Sequence, residues 1–309
     1  MNQHHPKPSD PSFLHPLDMQ DAPSSQLSPD LTNPSLELSQ PVFLLLRDLI
    51  HEKTGLFFQE KDRETLAWKL LPRLRELRLP SFYDYYLYLT NQPEEEAEWF
   101  TLMDLLSVPE TYFWREPQHF EALTDFILPQ LIQRTRSGPI RIWSAACCTG
   151  EEPISILIAM AEKGWIDRIP FQLVATDASP TAIQKARIGL YRRKSFRRMP
   201  PHLHEKYFEP AGKDQWRVRP DLLQQIEYQV ANLIGPQTDT LAQADVIFCR
   251  NVFLYFSQEA IRKTVERFYR AMPSPAYLFV GVCESLLSLC PPFRFEQIGE
   301  AFVYVKPEK

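Results

Sequence analysis

The stretch Ile140-Arg141-Ile142-Trp143-Ser144-Ala145-Ala146-Cys147-Cys148-Thr149-Gly150-Glu151-Glu152-Pro153 decides the fold. An apolar run gives way to small residues and then to a proline-marked helix, so it reads as strand, turn and helix. Small residues let the backbone approach a ligand, and a helix N-terminus presents free N–H groups. A dinucleotide enzyme would carry G-x-G-x-x-G here to receive a pyrophosphate. Glu151 and Glu152 stand in this turn instead, and their charge would repel phosphate. The turn suits a ligand with positive charge, such as the ammonium and sulfonium of S-adenosylmethionine. Acidic first-turn residues also satisfy a helix dipole, so the turn alone leaves both readings open.

Downstream, Leu173-Val174-Ala175-Thr176-Asp177 reads as a second strand ending in an acid. A carboxylate at that position can accept both ribose hydroxyls of an adenosine ligand, or can cap the next helix. Asp245–Val252 contains a third apolar strand ending in Arg250-Asn251. Ligands of open α/β sheets sit at the carboxyl ends of strands, which places both residues toward a cofactor or substrate. The expected strands are Ile140–Ser144, Phe171–Thr176, Val246–Cys249, Tyr277–Val282 and Phe302–Val305. The expected helices between them include Pro153–Lys163, Pro180–Ile188 and Gln258–Ala271. Such alternation implies a mostly parallel α/β sheet. Tyr207-Phe208, Trp216–Arg219 and Ile226–Val230 interrupt it and read as an inserted antiparallel hairpin or small sheet.

Upstream the pattern is helical. Phe43, Leu46, Leu49 and Ile50 share one face before Gly55, and Leu66, Leu70, Leu74 and Leu77 form a second stripe. Pro72 should end, kink or offset that second helix. Tyr85–Leu89, an acidic turn at Glu94-Glu95-Glu96, and Trp99, Leu102, Leu105 and Leu106 complete a small bundle. Residues 1–40, rich in Pro, Ser, Gln and Asp, read as a disordered tail. The expected organisation is therefore a tail (1–40), a helical domain (41–118), a linker helix (119–138) and a catalytic domain (139–309). A β-subdomain is expected at about 205–232.

Composition narrows the classes. A net charge of −5 argues against a nucleic-acid binder, and nine glycines exclude a glycine-rich phosphate cradle. No run reaches the roughly 18–20 apolar residues of a membrane span, and no secretory signal opens the chain. Five cysteines with no CxxC pair suggest neither a disulfide framework nor a zinc site, so a reducing cytoplasmic setting without metal is expected.

Three segments taken together carry a resemblance: Val108-Pro109-Glu110-Thr111-Tyr112-Phe113-Trp114-Arg115-Glu116, the stretch from Trp143 to Pro153, and Phe248-Cys249-Arg250-Asn251-Val252-Phe253-Leu254-Tyr255-Phe256. With Ala175-Thr176-Asp177, Ala186–Tyr191 and Gly281–Ser285, they resemble the CheR-type chemotaxis receptor (protein-glutamate) O-methyltransferases, in the family's order. The resemblance implies a Rossmann-like S-adenosylmethionine-dependent methyltransferase domain with a small inserted antiparallel β-subdomain, preceded by an all-α N-terminal domain. It implies methyl transfer to glutamate carboxylates on the cytoplasmic helices of methyl-accepting chemoreceptors, leaving S-adenosyl-L-homocysteine. Carried onto this chain, Thr111 and Arg115 would contact the cofactor from the linker. Glu151 would line its loop, Asp177 would hold the ribose, Asn232 and Leu233 would flank the adenine, and Arg250-Asn251 would complete the pocket. The chain departs from the family at Pro109, Cys147-Cys148 and Ile154. Phe208–Lys213 lacks the glycine-rich insertion of members that grip a receptor C-terminal peptide.

A glutamate carboxylate is ionised at neutral pH, so its methylation needs alignment rather than a general base. No catalytic His or Cys is expected, and Arg250 and Tyr255 are candidates for a group orienting the reactants. Carboxylate-rich receptor helices call for a basic docking face. Lys69, Arg73, Arg75 and Arg78 offer one, and the run Arg187, Arg192, Arg193, Lys194, Arg197 and Arg198 offers another. Either run could instead meet phosphate, which leaves an RNA methyltransferase as the alternative. A cofactor-binding scaffold without activity is a third reading.

Overall fold

The computed structural model describes residues 37–91, 96–134, 138–289 and 292–308. The expected tail, but for its last few residues, and the acidic pair Glu94-Glu95 lie outside them. Four helices come first: α1 (Gln40–Thr54), α2 (Arg63–Glu76), α3 (Phe82–Asn91) and α4 (Glu96–Leu106). Their apolar stripes close one core around Phe43, Leu46, Ile50, Leu66, Leu70, Leu74, Phe82 and Tyr85. The helix α1 stops at Gly55, which takes the left-handed φ of 80° where a Cβ would lie 2.6 Å from the Phe256 ring. Of the end, kink or offset expected at Pro72, the end does not occur: α2 runs on through it to Glu76. Pro72 and Trp68, four residues before it, are both exposed, so the carbonyl that the proline leaves unbonded sits on the solvent side.

A linker leads through α5 (Pro117–Glu121), a π-helical turn at Ala122–Ile127 and α6 (Leu128–Ile132) to the second domain. Its main sheet has seven strands, in the order β6-β2-β1-β7-β8-β10-β9. The strands are β1 (Ile140–Ala145), β2 (Phe171–Asp177), β6 (Ile226–Val230), β7 (Val246–Phe248), β8 (Ala276–Phe279), β9 (Arg294–Ile298) and β10 (Ala301–Lys306). The strands β6, β2, β1, β7 and β8 pair in parallel, while β10 runs antiparallel to both its neighbours. Chain order leaves β1 toward β2 on one side and returns at β7 on the other, which opens a crevice at the carboxyl end of β1.

Two helices flank that crevice: α7 (Glu151–Glu162) and α8 (Pro180–Ile188). The second is spelled out locally. Ser179 caps it by accepting Ala182 N–H at 3.0 Å, Pro180 fills its first turn, and Gly189 ends it with a left-handed φ of 64°. Sequence pattern placed the start of α7 at Pro153, but the helix begins two residues earlier, after Gly150. Proline is tolerated anywhere in a first turn, so it marked the turn and not its first residue.

A separate three-stranded antiparallel sheet joins β3 (Leu190–Arg192), β4 (Phe208–Gly212) and β5 (Gln215–Val218), with β5 in the middle. This corrects the expected subdomain at 205–232 at both ends. β3, only three residues long, joins it from upstream, whereas Ile226–Val230 belongs to the main sheet, in parallel register with β2. The edge strand β9 was not foreseen. Four of its five residues are exposed, so it lacks the apolar run that marks a buried strand.

Candidate functional site

A cavity of about 300 Å³ opens at the carboxyl ends of β1, β2 and β7, roofed by the helical domain through Thr54, Leu56, Phe57 and Phe58. Backbone contacts fix that roof. Phe57 N–H donates to Tyr255 O at 2.9 Å, and Leu56 bridges Phe256. Asn232 Nδ2 donates to Lys53 O at 2.9 Å from the opposite side.

Asp177 ends β2 in the cavity wall. One carboxylate oxygen accepts Cys148 N–H and the other accepts Ser179 N–H, each at 2.9 Å. Burial pushes its carboxyl pKa up, against those two hydrogen bonds. The loop after β1 is held in left-handed backbone at Ala146 (φ 58°), Cys148 (φ 51°) and Gly150 (φ 92°). A Cβ on Gly150 would lie 2.9 Å from Ala186 Cβ, so helix α8 leaves no room for a side chain there. Left-handed non-glycine residues recur around it, at Trp114 and Glu116 on either side of the lining residue Arg115, and at Asn251, which lines the cavity itself. Strain of this kind, concentrated on loops around one cavity, is a mark of a functional site.

The two glutamates of the acidic turn part company. Glu151 is buried away from the cavity, where Thr149 Oγ1 and Ser195 Oγ donate to it at 2.6 and 2.9 Å. It ties the loop to the turn after β3 and does not line the cavity as expected, because the first helical residue points back toward the small sheet. Glu152 lines the cavity in its place. It accepts from Ser144 Oγ at 2.7 Å and lies 3.6 Å from Arg250 Nε. Burial raises its pKa while the Arg250 charge opposes that. The doubled acid was visible in sequence; which of the two faces inward was not.

Arg250 is buried, and its Nη2 donates to Arg115 O at 2.5 Å. Its Nε lies 3.3 Å from Glu116, and its Nη1 has no hydrogen-bond partner among the described residues. His119 packs beside them, its Nδ1 3.3 Å from Glu116 but without hydrogen-bond geometry. Burial and the Arg250 charge push this imidazole down to about 3, so it is neutral. Asn251 follows Arg250; its N–H donates to Glu284 at 2.6 Å, and its side chain fills the space beside Gly281.

Thr111, Arg115, Asp177, Asn232, Leu233, Arg250, Asn251 and Tyr255 thus come together around one cavity, although they span 145 positions of sequence. Glu152, read from sequence only as half of the acidic turn, joins them, as do Asp104, Ser179 and Tyr112, which had no site role in the sequence reading. Of the expected docking face, Lys69 lines the cavity and donates to Leu105 O and Leu106 O at 3.1 and 3.2 Å. Arg73 forks onto Glu98, which also accepts from Tyr85 at 2.7 Å. Both cations are committed inward, and only Arg75 and Arg78 stay exposed. Among the described residues no group of three or more His, Cys, Asp or Glu could hold a metal.

The donor set fits a zwitterionic nucleoside with a cationic centre. It joins a carboxylate at a strand end, a second carboxylate, two guanidiniums and a buried unpartnered Nη1. Such a cavity can take S-adenosylmethionine, and the family matches make the class explicit, a methyltransferase that uses it. Residues 109–302 match the family model "CheR methyltransferase, SAM binding domain", and residues 41–107 match "CheR methyltransferase, all-alpha domain". The chain belongs to the CheR methyltransferase family. It is 32% identical to chemotaxis protein methyltransferase 2 of Vibrio cholerae, over 86% of this chain and 93% of that one. It is likewise 32% identical to the chemotaxis protein methyltransferase of Escherichia coli, over 82% and 87%. Identity to chemotaxis protein methyltransferase 2 of Pseudomonas aeruginosa is 33%, over 86% and 94%.

Proposed function

We propose that this protein methylates glutamate side-chain carboxylates on the cytoplasmic helices of chemoreceptors, and so tunes chemotaxis-type signalling. The likeness to chemotaxis methyltransferases over most of both chains supports the reading. The observation that carries it is the cavity itself, which gathers the orienting groups Asp177, Glu152, Arg115, Arg250 and Asn232 at the carboxyl ends of the central strands. S-adenosylmethionine, when bound, supplies a methyl group made electrophilic by its sulfonium. An ionised carboxylate needs no base to accept it, so the chain's task is alignment and exclusion of water.

In this reading Asp177 accepts the ribose hydroxyls, Asn232 and Leu233 flank the base, and Thr111, Arg115, Glu152 and Asn251 hold the amino-acid end. Arg250 acts from behind, fixing Glu152, Glu116 and the Arg115 backbone. Tyr255 stands in the cavity wall, and burial raises its pKa, so the phenol stays protonated as a hydrogen-bond donor. The substrate approaches over the outer face of α2. Trp68, 73% exposed, lies two turns before Arg75 on that face, and Arg78 follows. No helix among the described residues is long and apolar enough to cross a membrane. The protein acts on the receptor helices from the cytoplasmic side.

The test is to incubate the protein with S-adenosylmethionine and, in parallel, a purified receptor signalling fragment or total RNA, then map the added methyl groups by mass spectrometry of peptides and of nucleosides. Modified glutamates are expected. Methylation confined to RNA, or cofactor binding with no transfer to either, would overturn the reading.

A further inference from the structure

The acid at the end of β2 is reached from the other domain. Asp104 lies in the last turn of α4, the negative end of its own helix dipole, where a carboxylate is misplaced for that helix. It is well placed for α8. Its two oxygens accept Thr181 N–H at 3.2 Å, Thr181 Oγ1 at 2.7 Å and the Ser179 hydroxyl. Ser179 has only one hydroxyl proton, so donation to Asp104 fixes the rotor and leaves its lone pairs for Ala182 N–H. The same residue's backbone N–H donates to Asp177 Oδ1 at 2.9 Å. One short chain thus runs from the helical domain to the carboxylate in the cavity wall: Asp104, Ser179, Asp177. Asp104 and Ser179 both line that cavity.

We propose that Asp104 is a positioning residue for Asp177, acting through Ser179, so that the cofactor acid is set only when the helical domain is docked. The inference rests on the reading of Asp177 as a cofactor contact. It gives the all-α domain a part in cofactor binding beyond roofing the cavity.

The experiment is calorimetric titration of the full chain with S-adenosylhomocysteine, alongside thermal melting, for Asp104→Ala, Asp104→Asn, Ser179→Ala and the double variant Asp104→Ala/Ser179→Ala. Loss of one hydrogen-bond link is expected to weaken binding roughly three- to tenfold. The double variant should be no weaker than Asp104→Ala, since both break one chain. The Asn variant keeps an acceptor oxygen and should recover part of the loss, which also guards against misfolding of the Ala variant. His51→Ala removes a different interdomain contact, 2.7 Å to Ser257 Oγ, and serves as the docking control. If His51→Ala weakens binding as much as Asp104→Ala, the effect is docking in general and the positioning role is refuted. If Asp177→Ala weakens binding but Asp104→Ala and Ser179→Ala do not, the inference fails and the cofactor reading stands. If Asp177→Ala itself binds unchanged, the cofactor reading fails and takes the inference with it.

Discussion

Arg250 Nε lies 3.6 Å from Glu152 Oε2, both side chains largely buried, and this pair joins the wall of the cavity to the start of helix α7. It sorts the two glutamates of the acidic turn by role. Glu152→Gln should weaken S-adenosylhomocysteine binding by about 1.5–3 kcal/mol, the scale of a hydrogen bond to a charged group. Glu151→Gln should leave affinity near wild type and lower the melting temperature, because Glu151 does not line the cavity and ties Thr149 to Ser195 behind it. Calorimetry and melting on the two variants separate these outcomes.

Removing Arg250 is a harsher change. Arg250→Ala leaves Glu116 and Glu152 facing each other without their shared cation, and breaking a buried pair from one side costs about 3–5 kcal/mol. Chemical denaturation should show the loss, and adding Glu152→Gln to the same chain should restore part of it.

His119 predicts a pH dependence. Its folded pKa, held down to about 3, lies below the unfolded value of about 6.5, so the unfolded chain takes up the proton first as the pH falls. Its contribution is present in full above about pH 6.5 and is lost toward pH 3, by at most about 1.4 kcal/mol per pH unit. Buried Glu151, Glu152 and Asp177, with raised pKa values, act in the opposite sense, so the test is a difference. Unfolding free energy measured from pH 7 to 4.5 should fall less steeply in His119→Gln than in the wild type. Parallel curves would contradict the assignment.

The split basic face predicts a split phenotype. Arg75→Glu with Arg78→Glu should raise KM for a receptor fragment severalfold with little change in kcat, and the effect should shrink with added salt. Arg73→Ala should instead lower stability, because it strands buried Glu98. Steady-state kinetics at two ionic strengths and a melting curve decide it.

Much of this was readable from local signals. Ser179, Pro180 and Gly189 bracket α8, and Ser257 caps the helix Gln258–Ala271, so both helices were placed from sequence alone. The central strands announced themselves as apolar runs because they are buried on both faces. What escaped depended on tertiary placement. Ile226–Val230 looks the same whether it closes a small sheet or edges the large one, and only pairing with β2 decides. Lys69 and Arg73 look like a basic stripe until Glu98 and the end of α4 pack against them. Asp104 carried no motif, because its partners lie in another domain more than 70 residues away.

The most direct test of carboxyl methylation is alkaline hydrolysis after transfer of a labelled methyl group. The protein, methyl-labelled S-adenosylmethionine and receptor-bearing membranes are incubated together, and the washed protein fraction is treated with alkali. The site described around Asp177, Glu152 and Arg250 predicts release of volatile labelled methanol from carboxyl methyl esters, abolished by Asp177→Ala. Label that stays alkali-stable, or that partitions into nucleic acid, would contradict it.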